Sequence, residues 1–323
     1  MEKPILEVRN LKKYFPLRRN SIFSQIKYLK AVNDVSFSVQ KGEIFGIVGE
    51  SGCGKSTLGQ TLMHLYKPTS GRIIFNGQDI SFVDGRILKE LRKKIQIIFQ
   101  DPYGSLNPRK KIGWILEEPL IIHGMKDKKK RMDKVSELME LAGFNTSYLN
   151  RYPSELSGGQ RQRICIISSL ILEPELIIAD EPVSALDVSV QAQILNLMTD
   201  LQKNYNLTYI FISHNLNVVH YISTRIAIMY LGEFVEYGQA ERIYTAPLHP
   251  YTTALFSAVP TLDQNKKERI IIEGELPDPV NPPVGCPFNS RCRHAFERCF
   301  KEKPEFTKID DNHFVKCHLY GKE

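Results

Sequence analysis

The stretch Gly49-Glu50-Ser51-Gly52-Cys53-Gly54-Lys55-Ser56-Thr57 constrains this chain more than any other. It fits G-x-x-x-x-G-K-[ST], the P-loop pattern, in which glycines let the backbone curl so that successive N–H groups face phosphate oxygens. A helix starting there adds its positive end. In such a loop the lysine, here Lys55, reaches the β- and γ-phosphates, and the next hydroxyl, here Ser56, can ligate Mg²⁺. The flanks agree. Ile44-Phe45-Gly46-Ile47-Val48 reads as a buried strand, and Leu58 to Tyr66 can form the helix. The expected ligand is a nucleoside triphosphate on Gly49, Ser51, Gly52, Gly54, Lys55, Ser56 and Thr57.

Around this loop the chain alternates strand and helix patterns. Ile5 to Val8 and Val32 to Val39 read as strands, the second with Val35, Phe37 and Val39 on one face. Between them the basic stretch Leu17 to Lys30, with Phe23 and Tyr28, reads as a solvated loop or a hairpin extension. Gly71 to Gly77 reads as a strand closed by an Asn-Gly turn, and Ile95 to Phe99 as a short strand ending at Gln100. From Pro108 to Arg151 the pattern is helical, with Asp127 as a cap and Gly143 as a stop. Leu176 to Asp180 is a fully apolar strand ending in an acid. Gln191 to Leu201 reads as helix, Tyr209 to Ile212 as strand, and Ile226 to Tyr230 with Phe234 to Glu236 as an antiparallel pair. Such alternation predicts a mainly parallel sheet covered on both faces. Beyond Gln239 the texture changes to a Pro-rich tail with a cysteine cluster.

Two further stretches carry chemistry. Asp180 ends its strand as a magnesium-holding acid does opposite a P-loop, and Glu181 stands next to it as a candidate general base. Leu156-Ser157-Gly158-Gly159-Gln160 opens a helix and makes a second anion-binding N-terminus. One subunit does not need two such cradles for one triphosphate. A dimer that sandwiches each nucleotide between two chains does.

Composition excludes several classes. Hydrophobic content of 42% and charge of 24% describe an ordinary globular chain rather than a disordered one. The net charge of +7 is too modest to imply nucleic acid, which is not an expected partner. Met1-Glu2-Lys3-Pro4 opens with charges and no apolar run, so no secretory signal is expected, and no stretch approaches the roughly 18 apolar residues of a membrane span. A cytoplasmic enzyme is the expectation. Of six cysteines, Cys286, Cys292, Cys299 and Cys317 fall in the tail. In a reducing compartment disulfides are disfavoured, and the spacing lacks the C-x-x-C pairs usual for structural zinc. Four thiolates suit a 4Fe-4S cluster, with zinc and free thiols as the alternatives.

Taken in order, Gly49–Thr57, Gln100, Leu156–Gln160, Asp180-Glu181, Ser184-Ala185-Leu186-Asp187 and His214 resemble the ABC-type ATPase subunits over residues 5–240. That resemblance implies an α/β fold: a P-loop NTPase (RecA-like) core with antiparallel β and helical subdomains. It implies an ATP-binding domain over 1–245 and a small C-terminal metal-binding tail over 246–323. It implies catalytic roles for Glu181, His214 and Gln100, and Mg²⁺ held by Ser56, Gln100 and Asp180. Ser157, Gly158, Gly159, Gln160 and Asp187 would act on nucleotide bound to the partner chain. An aromatic after the first strand should stack on adenine, and Phe15 fits the spacing better than Tyr14.

Gln100 to Arg109, His249-Pro250-Tyr251-Thr252 and the basic insertion narrow the resemblance to dipeptide and oligopeptide importers, specifically their F-type subunit. Nickel and glutathione importers share much of this pattern. The implied partners are a second ABC ATPase in a heterodimer, two membrane permeases and an extracytoplasmic peptide-binding protein. The implied location is the cytoplasmic face of the cell membrane. The family's tail carries a 4Fe-4S cluster, which here would sit on Cys286, Cys292, Cys299 and Cys317. Two departures stand out. Ile167-Ser168-Ser169-Leu170 replaces an Ala-Arg-Ala-Leu-like run, and Asn215 replaces the usual Asp after the histidine.

Overall fold

Apolar runs bounded by turn residues become strands in the computed structural model, which describes residues 3–17, 25–258, 270–310 and 312–321. The strands are β1 (Leu6–Pro16), β2 (Tyr28–Val39), β3 (Ile44–Val48), β4 (Ser70–Phe75), β5 (Gln78–Asp79), β6 (Ile95–Ile98), β7 (Leu176–Asp180), β8 (Thr208–Ser213), β9 (Arg225–Tyr230), β10 (Glu233–Gln239), β11 (Phe306–Asp310) and β12 (His313–Lys316). The helices are α1 (Lys55–Leu62), α2 (Gly85–Lys94), α3 (Pro102–Ser105), α4 (Ile112–Ile122), α5 (Lys128–Leu141), α6 (Gly158–Leu170), α7 (Val188–Tyr205), α8 (Leu216–Ile222), α9 (Ala240–Thr245), α10 (Pro250–Ser257) and α11 (Glu297–Lys301).

The chain divides into two compact units. The first joins Met1–Gln40, Ile44–Phe82 and Ile212–Glu323; the second joins Lys41–Glu43 and Val83–Phe211. In the first, β1 pairs antiparallel with β2 and β4, and β4 turns through Asn76-Gly77 into β5. A second set of strands in this unit runs β11-β12-β10-β9-β3, with β3 and β9 parallel and the others antiparallel. Phe37 of β2 stacks on Phe45 of β3 at 5.1 Å and meets Phe234 of β10 at 5.5 Å, which joins the two sets through one apolar core. Aromatic pairs of this kind add about 1 kcal/mol each beyond area burial.

The second unit carries β8-β7-β6, with β6 and β7 parallel. All five residues of β7 are buried, as a strand covered on both faces requires. Helices α4 and α5 form the helical part. The side chain of Asp127 caps α5 by accepting from the Lys129 and Lys130 N–H groups, and Val135, Leu138 and Met139 bury one face. The expected cap is therefore present.

Where the basic insertion can be seen, its ends are paired strands: Tyr14 to Pro16 pair with Lys30 to Tyr28. Phe23 and its neighbours at 18–24 lie outside the described residues. Strands β1 and β2 run longer than their sequence patterns suggested. Antiparallel pairing lets polar residues face solvent inside a strand, so alternation blurs while the ladder continues. Among the described residues no helix is long and apolar enough to cross a membrane.

Candidate functional site

The P-loop sits between β3 and α1 in the first unit. Gly54 is the N-cap of α1 with φ +109, and a Cβ there would lie 2.0 Å from the Ala31 carbonyl oxygen. Only glycine fits both the left-handed backbone and that approach. The turn between β9 and β10 braces the loop, since the Gly232 N–H donates to the Cys53 carbonyl at 2.8 Å. Lys55 is buried, and its ammonium donates to the carbonyls of Gly49 at 2.8 Å and Glu50 at 2.9 Å. Those are the bonds a phosphate would exchange for its own. The Cys53 thiol is pushed up by burial, against the pull of Lys55, so it stays protonated at neutral pH. Ser56 and Thr57 are half-buried in the first turn of α1.

His214 lies in the same unit and is exposed just after β8. The residue after it, Asn215, caps α8: its side chain accepts from the N–H groups of Asn217 and Val218. An amide serves that purpose as well as a carboxylate, which is why the departure from Asp is tolerated locally. Tyr14 and Phe15 have different surroundings. The Tyr14 hydroxyl is tied to Asn33, whereas Phe15 packs edge-on against Tyr66 at 5.0 Å under the Lys13 ammonium at 4.6 Å. Of the two, Phe15 keeps the ring that has no polar commitment.

The second unit brings two of the expected catalytic residues together. The Gln100 side-chain N–H donates to Glu181 Oε2 at 2.9 Å. Asp180 is 3% exposed at the end of β7, and Glu181 follows with φ +49, a left-handed backbone unusual for a residue with a side chain. Such a conformation costs roughly 1–3 kcal/mol and persists where neighbours hold it. Here the Ser184 N–H and hydroxyl both donate to the Glu181 carbonyl. The hard oxygens of Ser56 and Asp180 are the donor type that Mg²⁺ takes.

Ser157 caps α6 in a reciprocal box. Its hydroxyl accepts from the Gln160 N–H, and Gln160 Oε1 accepts from the Ser157 N–H. The N–H groups of Gly158 and Gly159 at the helix start keep no helical partner of their own. Gly159 also packs closely, since a Cβ there would come within 2.4 Å of Val190 Cγ1 and force that side chain to move. Asp187 is exposed at the start of α7, and its side chain makes no cap bond. The loop before it is shaped by Gln191, whose amide donates to the carbonyls of Val183 and Leu186. Ser169, within the other departure, is buried and donates to the Ile166 carbonyl.

The tail folds into the first unit through buried carboxylates that the sequence reading did not single out. Glu236 accepts from the backbone N–H groups of Leu248 and His249, each at 2.9 Å, and its Oε1 lies 2.6 Å from His313 Nε2. Glu233 receives Lys303 at 2.7 Å, Lys316 at 2.6 Å and Asn33 at 2.7 Å. Burial alone would raise its carboxyl, but Lys316 and Lys303 together hold it below the usual range. Asn33 in turn bonds Tyr14, so this network runs from the tail to the residue beside Phe15. Tail residues also reach the P-loop: the Glu50 N–H donates to the Tyr251 hydroxyl, and Arg291 pairs with the Glu50 carboxylate. Two glutamates inside the one strand β10 were the available signal, since unpaired acids rarely occupy buried strand positions.

The four tail cysteines share one neighbourhood. Cys286, Cys299 and Cys317 are buried and Cys292 half-buried. Burial pushes the Cys286 thiol up to about 12 and Cys317 to about 11, and the charges of the other tail thiols add to both shifts. Backbone N–H groups oppose the shift at three of them: Phe288 at Cys286, His294 at Cys292 and Leu319 at Cys317. Each donor sits two residues after its cysteine, an arrangement that favours thiolate. Among the described residues no three His, Cys, Asp or Glu side chains are arranged to hold a metal ion.

Residues 32–184 match the family described as ABC transporter, and residues 235–299 match the one described as Oligopeptide/dipeptide transporter, C-terminal region. The Oligopeptide transport ATP-binding protein AppF of Bacillus subtilis (strain 168) is 54% identical over 324 residues, covering 99% of this chain and 98% of that protein. The Dipeptide transport ATP-binding protein DppF of Escherichia coli (strain K12) is 50% identical over 324 residues, covering 100% of this chain and 96% of that one. Among solved structures, the dimeric post-hydrolysis state of the ATP-binding cassette MJ0796 bound to ADP and Pi aligns with a TM-score of 0.63 at 28% identity, over 73% of this chain and 98% of that one. CbiO1 from Clostridium perfringens, part of the ABC transporter complex cbiONQ, aligns with a TM-score of 0.64 at 27% identity, over 76% and 92%.

Proposed function

This chain belongs to the ATP-binding subunits of ABC transporters for oligopeptides and dipeptides, and on that premise we propose that it hydrolyses MgATP to drive peptide import. The observation that carries the peptide reading is the full-length likeness, tail included, to proteins named for oligopeptide and dipeptide transport.

The chemistry follows from the chain's own groups. Lys55 exchanges its two carbonyl bonds for the β- and γ-phosphates, and the N–H groups of the loop from Gly49 through Gly54 to Thr57, with Ser51 and Gly52, cradle the rest. Phe15 stacks on adenine. Ser56, Asp180 and Gln100 would hold Mg²⁺, which would supply neutralisation of the charge building on the phosphate oxygens. Glu181, oriented by Gln100, takes the proton of the attacking water, and His214 contacts the γ-phosphate. Ser157, Gly158, Gly159, Gln160 and Asp187 complete a nucleotide site on a partner chain. The helix start, with Ser157 exposed and Gly158, Gly159 and Gln160 half-buried, supports that assignment.

The assembly we propose pairs this chain with a second ABC ATPase beneath two permeases, with an extracytoplasmic protein delivering peptide. Residues 1–245 are the ATPase proper, and 246–323 form the importer-specific tail. In that tail Cys286, Cys292, Cys299 and Cys317 are assigned to a 4Fe-4S cluster. What supports this assignment is four cysteines gathered in one short tail segment, set against the finding that among the described residues no three ligating side chains are arranged to hold a metal ion. A cluster there would cross-link a segment too small to build much core of its own. Copurification of this chain with the permeases, followed by ATP-dependent uptake of labelled peptide, tests the function. An assembly that turns over ATP yet moves no peptide would contradict it.

A further inference from the structure

The second residue of the P-loop is held from outside the loop at two points. The Glu50 backbone N–H donates to the Tyr251 hydroxyl at 2.9 Å. The Glu50 carboxylate receives Arg291, Nη1 to Oε2 at 2.9 Å and Nη2 to Oε1 at 3.3 Å. Both partners come from the tail and both are enclosed. Tyr251, on α10, is fully buried, its ring 4.7 Å from Tyr230 and 5.4 Å from Phe288. The Arg291 side chain is 9% exposed, donates also to the Tyr230 hydroxyl at 3.4 Å, and directly precedes Cys292. The Glu50 carbonyl meanwhile accepts from Lys55. Glu50 is thus the point where the tail grips the phosphate cradle.

We propose that Tyr251 and Arg291 are positioning residues for ATP binding, which fix the P-loop through Glu50 and neutralise its carboxylate. The inference rests on the ATPase reading above. Its physical content has two parts. A cradle already held in shape loses less conformational freedom when it closes on phosphate. A bare carboxylate inside the loop would repel the triphosphate, and Arg291 cancels that charge. The second part makes a signature that a merely structural arginine lacks: removing the carboxylate should cancel much of the harm of removing the arginine.

The test is MgATP affinity of the full chain by calorimetry, then KM and kcat in the assembled transporter. Arg291→Ala should weaken MgATP binding about tenfold, the range for loss of a charge-assisted bond. Tyr251→Phe, which removes one hydroxyl and little packing, should weaken it about threefold. In turnover KM should rise while kcat stays within about twofold, the pattern of lost binding rather than lost transition-state contact. Arg291→Ala combined with Glu50→Gln should recover to within about threefold of wild type. Arg293→Ala, two residues away on a pair with Glu273, should change nothing. Wild-type affinity in both Arg291→Ala and Tyr251→Phe overturns the proposal. Should Arg291→Ala fail to fold, Tyr251→Phe alone decides. A wild-type chain that binds no MgATP contradicts the ATPase reading itself, which is a different result.

Discussion

Gln100 donates its side-chain N–H to Glu181 Oε2 at 2.9 Å, and Glu181 holds a left-handed backbone at the end of a fully buried strand. The bond fixes one oxygen of the carboxylate that serves as the base. Glu181→Gln should therefore keep MgATP affinity and cut hydrolysis by about 10²–10⁴-fold, the usual worth of a positioned base. Lys55→Ala should instead lose binding. Affinity by calorimetry and phosphate release by single-turnover assay separate the two. Near-wild-type hydrolysis in Glu181→Gln would remove Glu181 from the catalytic role.

The open start of α6 predicts that this chain alone is a weak ATPase. Specific activity should rise with concentration or on adding the partner ATPase, because Ser157 and Gly159 would serve nucleotide on the other chain. Ser157→Arg should abolish that stimulation while this chain still binds MgATP. Full activity from a dilute monomer, independent of concentration, would rule out the shared site.

His249 gives a pH signature. Its Nδ1 accepts from the Tyr251 N–H, and burial, only partly opposed by Glu236, lowers the imidazole to about 4. The unfolded chain titrates near 6.5. Between those values the unfolded state binds more protons, so this group's contribution is complete above about 6.5. It is lost as pH falls toward 4, by up to about 3 kcal/mol. His249→Asn puts an amide oxygen in place of the capping Nδ1 and removes the titration. Thermal melts from pH 7 to 4 should show a shallower decline in that variant. An unchanged slope would contradict the assignment.

Much of the site was legible because it is local. The P-loop, the apolar strand into Asp180, the Asp127 cap and the Ser157 box each depend on residues within a few positions of one another, and their patterns announce them. The tail was not legible in that way. Glu50 meets Tyr251 and Arg291 across 201 and 241 residues, and Glu236 meets His313 across 77. No periodicity links such partners. The β11–β12 hairpin was missed for a related reason: β12 is short, and it is defined by pairing with β10 rather than by its own alternation.

The cysteine assignment predicts colour. Chain prepared without oxygen should be brown and carry about four irons. Serine at Cys286, Cys292, Cys299 or Cys317 should bleach it, whereas serine at Cys165, in α6, should not. MgATP binding should survive in the bleached chains if the tail's grip on Glu50 remains. Stoichiometric zinc in the anaerobic protein would replace the cluster with a four-thiolate zinc site.

The central claim is that ATP hydrolysis by this chain drives peptide import, and labelled oligopeptide uptake into proteoliposomes tests it most directly. The vesicles would hold this chain, its partner ATPase and both permeases, with binding protein and peptide on the opposite side from ATP. The account predicts uptake that requires ATP and that falls to background with Glu181→Gln. Uptake undiminished by Glu181→Gln, or the absence of any peptide uptake by an assembly that hydrolyses ATP, would contradict it.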